Sequence, residues 1–513
     1  MAAQIESNYI LPGRAESYWM ATTQESNYPA LSGDIRVDVA ILGGGIVGIT
    51  TAFLLKEAGA SSVAVIEADR ILDGVTGHTT AKVTSQHHLI YDYLLSKFGR
   101  RQAKQYAESN QVAIEKIASI VNSRNIACDF VRKPAYVYAG SKESTGKILN
   151  EIEAAKSLGL PASYREELPL PFKTYGSIRF DNQAQFHPKK YLCALAREIA
   201  SEGCQIFEKT RALKIEGNGP ITITTDRGTV LAQKVIQATH FPINDKPGFM
   251  FQRLYQSRSY ALGVRIRDPF PQGMFISAEE PVRSLRSQST SYGGDLILVT
   301  GEGHRTGEGN HEIDHYQNLK NWIRSVYSVS SIDYHWSTQD TMPVDNVPYI
   351  GPLPSSSENS FVATGFRKWG MTTGTVAAMI LTDLIFGKAN AWEEIYDPSR
   401  FKPVESAKNL ISQVAEATKG LVGDRILPTR KKASDIVPRE GAIVEIAGER
   451  VAAYRDHDGV LHTLDPSCRH MGCIVSWNDV EKTWDCPCHG SRYYAEGGVI
   501  DSPTVYGLRE KKV

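Results

Sequence analysis

The sequence is short of the features that mark several large classes of protein. Only seven of its 513 residues are cysteine, far too few for a scaffold built from disulfides. Lysine and arginine total 57, and aspartate and glutamate also total 57, so no excess charge would draw the chain to nucleic acid or to an anionic membrane. A nucleic-acid partner is therefore not expected.

Long hydrophobic runs are also missing. The longest, AAMILTDLIFG, is interrupted by Thr382 and Asp383 and is too short to span a bilayer. The first residues, MAAQIESNYILPGRAESYW, lack the basic segment and the apolar run of a secretory signal peptide. We therefore expect no transmembrane segment and a cytoplasmic protein. The length predicts two or three folding units.

A nucleotide-binding pattern lies near the start of the chain. An apolar strand at residues 39–42 leads into Gly43, Gly45 and Gly48 and then into a helical pattern. Such glycines let the backbone approach a pyrophosphate, which the helix N-terminus binds. A second strand ends in Glu67, nineteen residues after Gly48, where a carboxylate can bond to ribose hydroxyls. An acid there disfavours NADP, so FAD or NAD is expected, with a glycine turn that binds no ligand as the alternative.

Later segments fit a domain that binds a cofactor along its length. Residues 185–217 have the pattern of an amphipathic helix and a strand, and residues 221–240 that of a hairpin feeding a buried strand. Residues 341–354 and 361–385 predict a strand, a glycine turn and a helix. No second glycine-rich strand–turn–helix unit follows, so a separate NAD(P)H site is not expected.

The order of these motifs resembles the D-amino-acid oxidase/glycine oxidase-like family of FAD-dependent oxidoreductases. The resemblance covers about residues 36–390 and rests on DVAILGGGIVGITTA with VAVIEADR, on the block ending in VIQATH, and on DNVPYIGPLP…ATGFRKWGMTTGTVAAMILTDLI. It implies an α/β FAD-binding Rossmann-like domain with an antiparallel α+β substrate domain. The residues that it implies for FAD binding are Gly43, Gly45, Ile46, Val47, Gly48, Glu67, Ala68, His78, Thr79, Thr80, Ala81, Lys82, Ala212, Gly365, Gly370, Met371 and Thr372.

The resemblance also implies where these segments meet the cofactor. Residues 78–82 line the flavin, and the backbone near Ala212 meets the adenine. The segment from Gly365 to Gly370 lies by the isoalloxazine, where a helix N-terminus stabilises negative charge on the reduced ring.

Two positions depart from the family pattern. His240 stands where relatives often have the last glycine of an ATG sequence. Relatives that oxidise amino acids place an arginine just before the PYIG-type segment to hold the substrate carboxylate, and here that position is Asp340. A carboxylate there favours a cationic amine. Lys368 offers positive charge nearby, although a solvated or structural role explains it equally well. Asp340 and Lys368 are therefore pocket candidates, and no catalytic residue is assigned.

The C-terminal part predicts a small all-β unit with a cluster of cysteine and histidine. Short strands begin near residue 437, and two loops follow, CRHMGC and CPCHGS. Cys468 with His470, and Cys486 with His489, suit a [2Fe–2S] cluster with one iron on two thiolates and the other on two imidazoles. A zinc ribbon fits poorly because it favours paired CxxC knuckles. A chance cluster is the other alternative.

The signature CRHMGC…CPCHGSRYY resembles the Rieske iron–sulfur family over about the last 85 residues. The resemblance implies Cys468, His470, Cys486 and His489 as ligands and a disulfide between Cys473 and Cys488, although a cytoplasmic setting disfavours disulfides. It also implies that Ser491 and Tyr493 donate hydrogen bonds to cluster sulfurs, which raises the reduction potential.

These readings divide the chain into four parts. We predict an N-terminal extension at residues 1–35, the FAD-dependent oxidoreductase at 36–395, a linker at 396–427 with a helical piece near 409–421, and the Rieske domain at 428–513. Within the oxidoreductase, the FAD-binding parts are about 36–90, 180–250 and 340–395, and the substrate domain is about 91–179 and 251–339.

The predicted function is a flavin-dependent oxidation that feeds an iron–sulfur cluster. A small organic substrate, an amine or an amino acid, is oxidised at FAD, and electrons pass singly through the cluster to an external acceptor, a quinone or a small redox carrier. His470 and His489 are expected to face solvent or a partner. An oxygenase component is one alternative, although the sequence shows no triad of two histidines and a carboxylate for mononuclear iron. A non-catalytic redox sensor or electron relay is the other.

Overall fold

The computed structural model describes residues 11–245, 247–307, 312–354, 358–400 and 431–512. Its helices are α1 Tyr18–Ala21, α2 Ile46–Glu57, α3 Tyr91–Ser123, α4 Thr145–Ser157, α5 Pro188–Ser201, α6 Met250–Arg253, α7 Glu312–Val326, α8 Gly370–Ile385 and α9 Glu393–Tyr396. Its strands are β1 Ile35–Leu42, β2 Val63–Ile66, β3 Lys82–Val83, β4 Val131–Arg132, β5 Ala135–Tyr138, β6 Ala162–Arg165, β7 Ser177–Phe180, β8 Ala184–Gln185, β9 Gln205–Phe207, β10 Ala212–Glu216, β11 Ile221–Thr225, β12 Thr229–Gln237, β13 Leu254–Ile266, β14 Met274–Ser277, β15 Arg283–Ser289, β16 Asp295–Arg305, β17 Val329–Pro343, β18 Tyr349–Pro352, β19 Ser360–Thr364, β20 Glu440–Ile446, β21 Glu449–Arg455, β22 Leu461–Leu464, β23 Ser476–Asn478, β24 Thr483–Asp485, β25 Arg492–Tyr494 and β26 Val499–Asp501. No helix of these residues is both long and apolar enough to cross a membrane.

The glycine-rich turn belongs to an eight-stranded sheet. Its main order is β10-β11-β12-β1-β2-β9, with β19 beside β12 and β18 beside β19. Strand β1 runs parallel to β2 and β12, and β12 runs parallel to β19. Every residue of β2 is buried, as is typical of parallel strands inside an α/β domain. Helix α2 packs against α5 and α8. The predicted α/β Rossmann-like fold is confirmed.

A second eight-stranded sheet forms the predicted substrate domain. Its order is β17-β13-β16-β15-β14-β5-β7-β6. The neighbouring strands are antiparallel except for β5 and β14, which run parallel. Helix α7 packs on β13 and β16. The antiparallel α+β character of this domain is therefore also confirmed.

The C-terminal residues form two small antiparallel sheets, β20-β21-β22 and β23-β24-β25-β26. Trp484 and Tyr493 are fully buried in their core together with the cysteines. The predicted all-β unit is thus confirmed. Most of the predicted linker, and its helical piece near 409–421, lies outside the described residues, and the exact domain boundaries stay predictions.

The described part of the N-terminal extension packs against the rest of the chain. Helix α1 carries Trp19, which is fully buried and whose indole Nε1 donates a hydrogen bond to the carbonyl oxygen of Thr79 at 2.6 Å. The Arg286 guanidinium carbon lies 5.1 Å from the centre of the Trp19 ring, a cation–π arrangement. The extension therefore helps to hold the segment that the sequence predicts beside the flavin.

Candidate functional site

The glycine-rich turn is packed so closely that two of its positions leave no room for a side chain. A Cβ on Gly43 would lie 2.4 Å from the carbonyl oxygen of Ala238, and a Cβ on Gly48 would lie 1.9 Å from that of Gly43. Helix α2 follows with Gly45 as its N-cap and no side-chain cap. The amides in the first turn of a helix have no partner within the helix, so the N–H groups of Ile46 and Val47 are available as donors. The Ile46 amide donates to the Thr76 hydroxyl at 3.0 Å. This cradle fits a dinucleotide pyrophosphate.

Glu67 lies beside this turn at the carboxyl end of β2. Its Oε2 accepts from the amide of Gly44 at 2.7 Å and its Oε1 from the amide of Asp69 at 2.9 Å. Ala68 follows directly, and the amide of Thr210 donates to the carbonyl oxygen of Glu67 at 2.9 Å. The segment that leads into β10 at Ala212 therefore lies beside Glu67. The residue predicted to contact the ribose and the residue predicted to contact the adenine are thus close together.

The segment from His78 to Lys82 is held by side chains of the second sheet. The Trp336 indole donates to the carbonyl oxygen of His78 at 2.9 Å, and the Arg286 guanidinium donates to that of Thr80 at 2.6 Å. The Lys82 ammonium donates to the Ser284 hydroxyl, and burial lowers the pKa of Lys82 to about 7. Thr79 and Ala81 lie between these anchors. The segment therefore lies at the junction of the two sheets.

The late glycine segment, residues 365–370, leads into α8 next to the same region. Gly365 has a φ of +76°, and Arg367 and Lys368 are also left-handed, before α8 begins at Gly370. The Thr372 hydroxyl donates to the carbonyl oxygen of Thr84 at 2.9 Å, and Met371 is buried beside it. A Cβ on Gly374 would lie 3.2 Å from Ile46 and 3.4 Å from Val47. The predicted FAD contacts of α2 and α8 are therefore neighbours, and their individual roles stay predictions.

His240 has a left-handed backbone conformation, with a φ of +66°, in the region that favours glycine. Its ring nitrogen Nε2 accepts a hydrogen bond from the amide of Thr341 at 2.9 Å. Because Nε2 is an acceptor, the proton of the neutral ring is on Nδ1. The His240 ring thus adds a hydrogen bond between the end of β12 and β17.

The two pocket candidates lie on one side of β13 and β17. Asp340 pairs with Ser257 across these strands, and the Lys368 ammonium donates to the Ser259 hydroxyl at 2.7 Å. Asp340 is 9% exposed. Burial raises the pKa of Asp340 to about 6, and the charge of Lys368 acts in the opposite direction. The structure brings the two residues together at the junction that contains His78.

The two C-terminal loops bring the predicted cluster ligands together. The rings of His470 and His489 lie 5.0 Å apart and nearly perpendicular, beside the buried Cys468 and Cys486. The Nδ1 atom of each ring is buried and has no hydrogen-bond partner among the described residues. Buried polar atoms are rarely left without a partner, so two such nitrogens beside two thiols fit a metal cluster.

Side chains around Cys468 favour its ligand form, whereas the hydrogen bond to Cys468 and burial raise the pKa of the Cys486 thiol. Cys486 and the Tyr493 hydroxyl both bond to the Cys468 sulfur, the latter at 3.1 Å, and they lower the pKa of Cys468, which favours the thiolate. Burial and then the neighbouring His470 lower the pKa of His489 to about 3, which keeps that ring neutral. For Cys468 and His489, these are the protonation states that cysteine and histidine need as ligands.

The disulfide that the family resemblance implied, Cys473–Cys488, is confirmed. Its two sulfurs and the Cys486 sulfur lie within 4.8 Å of one another, so the bridge joins the two loops beside the ligands. Ser491 is fully buried, and its hydroxyl oxygen accepts from the amide of Thr504 at 3.2 Å.

The expectation that His470 and His489 face solvent or a partner is wrong for this arrangement. The His470 Nε2 lies 2.8 Å from the Asp245 carboxylate, and the Phe241 ring centre lies 6.4 Å from that of His470. His489 interacts with the backbone carbonyl of Phe251, whose ring centre is 6.1 Å from its own. The two rings therefore face the chain between β12 and β13, because the C-terminal loops pack onto it.

A second set of contacts joins the C-terminal unit to the substrate domain. Glu481 bonds to Arg258 and Ser337, and also to Arg492 of its own unit. Burial alone would raise the pKa of Glu481, but Arg258 and Arg492 outweigh it and lower the pKa to about 2. The Gln339 amide donates to the carbonyl oxygen of Gly490 at 2.8 Å.

Sequence reasoning missed Asp245, Glu481 and Arg258. Asp245 stands 225 positions from His470, and Arg258 stands 223 positions from Glu481. No motif surrounds any of the three, and their pairing is set by how the domains pack. The sequence carried no local signal for them.

Comparison with known proteins agrees with this architecture. The family model described as FAD dependent oxidoreductase matches residues 38–384, and that of the Rieske [2Fe-2S] domain matches residues 429–510. The chain is 41% identical over 496 residues to the putative Rieske 2Fe-2S iron-sulfur protein YhfW of Bacillus subtilis (strain 168), which covers 96% of this chain and 97% of that protein. It is 22% identical over 403 residues to the gamma-glutamylputrescine oxidoreductase of Escherichia coli (strain K12), covering 74% and 90%.

A solved structure shows the same fold for the larger part. The crystal structure of glycine oxidase from Geobacillus kaustophilus superposes with a TM-score of 0.60 at 20% identity, covering 72% of this chain and 99% of that one. The family matches also remove the zinc-ribbon alternative, since the C-terminal match is to an iron–sulfur domain. The chain therefore belongs to the FAD-dependent oxidoreductase family and carries a C-terminal Rieske domain, so that its cofactors are FAD and a Rieske-type [2Fe–2S] cluster.

Proposed function

We propose that the protein oxidises a small amine at FAD and passes the electrons singly through the cluster to an external acceptor, a quinone or a small redox carrier. The observation that carries this proposal is the contact between His470 and Asp245 at 2.8 Å. It joins the cluster site to the unit that contains the glycine-rich turn. Flavin accepts two electrons together and can release them one at a time, which suits a one-electron cluster.

The cofactor-binding roles predicted from the sequence form part of this proposal. Cys468, Cys486, His470 and His489 would hold the cluster, with Ser491 and Tyr493 bonding to its sulfurs. The first turn of α2 and Glu67 would hold the pyrophosphate and ribose of FAD, and His78–Lys82 with the start of α8 would surround the flavin. These assignments rest on the unpartnered Nδ1 atoms and on the side-chain-free turn described above.

The substrate class is argued from Asp340. A buried carboxylate beside the flavin segment attracts a cationic amine and repels a substrate carboxylate. Oxidation of an amine to the imine gives a hydride to the flavin and a proton to solvent, and the two electrons leave in two single steps. The relative that acts on gamma-glutamylputrescine, a derivative of a diamine, supports this class.

Anaerobic mixing of the holoprotein with amines, amino acids and hydroxy acids tests the proposal. We expect an amine to bleach the flavin absorbance and then to produce the electron paramagnetic resonance (EPR) signal of a reduced Rieske cluster. If no organic compound bleaches the flavin but a reduced pyridine nucleotide or ferredoxin does, the proposed direction of electron flow is wrong. A hydroxylated product formed under oxygen would indicate an oxygenase component instead.

A further inference from the structure

The histidine edge of the cluster site, defined as the rings of His470 and His489, is covered by the same chain. Resting on the proposed function, we infer that this edge receives electrons from the flavin side of its own chain, and that Asp245 is the positioning residue that holds it there. The external acceptor then takes electrons at another part of the Rieske surface.

The contact with Asp245 is buried on both sides. The side chains of His470 and Asp245 are 14% and 7% exposed. The outer nitrogen of a metal-binding histidine commonly bonds to a carboxylate, which fixes the orientation of the ring. Here the carboxylate comes from the flavin-binding part of the chain, so it fixes the position of the whole cluster loop relative to that part.

A short stretch of chain connects the glycine-rich turn to this contact. Its first residue, Ala238, places its carbonyl oxygen against Gly43, and the carbonyl oxygen of Thr239 accepts from the Ser502 hydroxyl at 3.1 Å. Phe241 packs against His470, and Asp245 completes the stretch. Eight consecutive residues, 238–245, therefore run from the predicted pyrophosphate site to the histidine edge.

Strands β13 and β17 form a second connection, because their two faces meet different partners. Ser337 and Gln339 of β17 bond to Glu481 and Gly490 of the Rieske domain. The intervening side chains project to the other face. On that face Trp336 bonds to the backbone of His78, and Asp340 lies by Lys368. The predicted flavin region and the Rieske domain are thus separated by a single layer of sheet.

The proposed step moves one electron and no atoms. With FAD and the cluster bound, the cluster held by Cys468, His470, Cys486 and His489 would accept one electron from the reduced flavin, so that one ferric iron would become ferrous. The external acceptor reoxidises the cluster before the second electron follows.

The test starts from holoprotein whose bound flavin is photoreduced anaerobically with EDTA as the electron donor. Flavin absorbance and the circular dichroism of the cluster are followed together in the wild type, in Asp245→Ala and in the control Asp268→Asn, whose carboxylate accepts hydrogen bonds from the amide and the hydroxyl of Ser328. We expect the cluster of the wild type to be reduced at a rate that does not depend on protein concentration. Asp245→Ala should slow this rate about tenfold, because the His470 ring and its loop lose the contact that orients them toward the flavin side.

Asp245→Asn is a second variant with a different expected readout. It keeps the size of the side chain and an acceptor oxygen but removes the negative charge, so the cluster potential should rise while the transfer rate stays nearer to that of the wild type. FAD and iron contents and reduction by dithionite are measured in every variant, which separates slow transfer from loss of a cofactor.

Two results would overturn the inference. One is a transfer rate that increases with protein concentration, because the donor and the acceptor would then be on different chains. The other is an unchanged rate in Asp245→Ala together with an unchanged potential in Asp245→Asn. Light replaces the substrate in this experiment, so failure of every amine to bleach the flavin would contradict the proposed function and leave this result standing.

Discussion

Among single residues, Tyr493 is hydrogen-bonded directly to a predicted ligand of the cluster. Its hydroxyl donates to the Cys468 sulfur at 3.1 Å from a fully buried position. A donor at this sulfur stabilises the reduced cluster, which carries more negative charge. The neighbouring Tyr494 is 50% exposed, and no described contact links it to the sulfurs.

We expect Tyr493→Phe to lower the reduction potential. A hydrogen bond to a charged group contributes about 1.5 kcal/mol, which is about 60 mV for a one-electron couple. An EPR-monitored redox titration measures the change, with Tyr494→Phe as the matched control. Equal potentials in the two variants would contradict the role assigned to Tyr493.

Asp340 should give amine binding a characteristic pH dependence. Because burial raises the pKa of Asp340 to about 6, the carboxyl is neutral below that pH and charged above it. Most aliphatic amines stay cationic throughout this range. The amine concentration that half-saturates flavin reduction should therefore fall as the pH rises through about 6.

Asp340→Asn should remove this pH dependence and weaken amine binding about tenfold, equivalent to about 1.4 kcal/mol. The measurement is anaerobic flavin reduction across the pH range, with the exposed Asp38→Asn as the control. If Asp340→Asn keeps the profile of the wild type, another group recognises the amine.

At the scale of elements, the turn between β1 and α2 allows the sharpest test of FAD binding. Gly48→Ala would place a Cβ 1.9 Å from the carbonyl oxygen of Gly43, so the turn must open. We expect the purified variant to lose most of its visible flavin absorbance, because FAD is no longer held. In Gly146→Ala, the control, nothing lies within 4 Å of the added Cβ. Full flavin content in Gly48→Ala would contradict the assignment of this turn.

The elements differ in how far the sequence could predict them. The turn around Gly43 and the loops around Cys468 and Cys486 were predictable, because the residues that define each one are close together in sequence. The pairing of β17 with β13 confirmed an antiparallel substrate domain, but their two faces could not be assigned to different partners beforehand. That assignment depends on which surface the Rieske domain covers, and long-range packing decides it.

The contact of His470 with Asp245 shows the same limit. The motif predicted His470 as a ligand, but the carboxylate beside it belongs to a segment 225 positions away in the chain. The sequence alone therefore predicted an exposed edge where the structure has a covered one.

For the whole molecule, the ion cluster around Glu481 joins the Rieske domain to the substrate domain. The Arg258 side chain is 1% exposed, and Glu481 is 21% exposed. Removing one partner of a buried pair leaves the other charge uncompensated, so Glu481→Gln should destabilise the docked Rieske domain by about 3 kcal/mol. Unfolding followed by the circular dichroism of the cluster measures this, with the exposed Glu496→Gln as the control.

The destabilisation caused by Glu481→Gln should become smaller as the pH falls. The pKa of Glu481 is lowered from 4.5 to about 2 in the folded protein, so its stabilising contribution is complete above 4.5 and is lost as the pH falls toward 2. The difference between the wild type and Glu481→Gln should therefore narrow on acidification from pH 7. A difference that stays constant down to about pH 3 would show that the charge of Glu481 is not what joins the domains.

Strand β17 also constrains which changes of length the protein tolerates. Its side chains alternate between the Rieske domain, at Ser337 and Gln339, and the predicted flavin region, at Trp336 and Asp340. Deleting or inserting one residue between Ser337 and Gln339 would turn Gln339 and Asp340 to the opposite faces, while Trp336 and Ser337 kept theirs. Such a mutation would direct the Asp340 carboxylate toward the Rieske domain and the Gln339 amide toward the predicted flavin region, so the contacts of both residues would be lost together. A change of one residue in this segment would therefore need a bulge to absorb it, as the register shift between Gly263 and Val264 does farther along the same pair of strands.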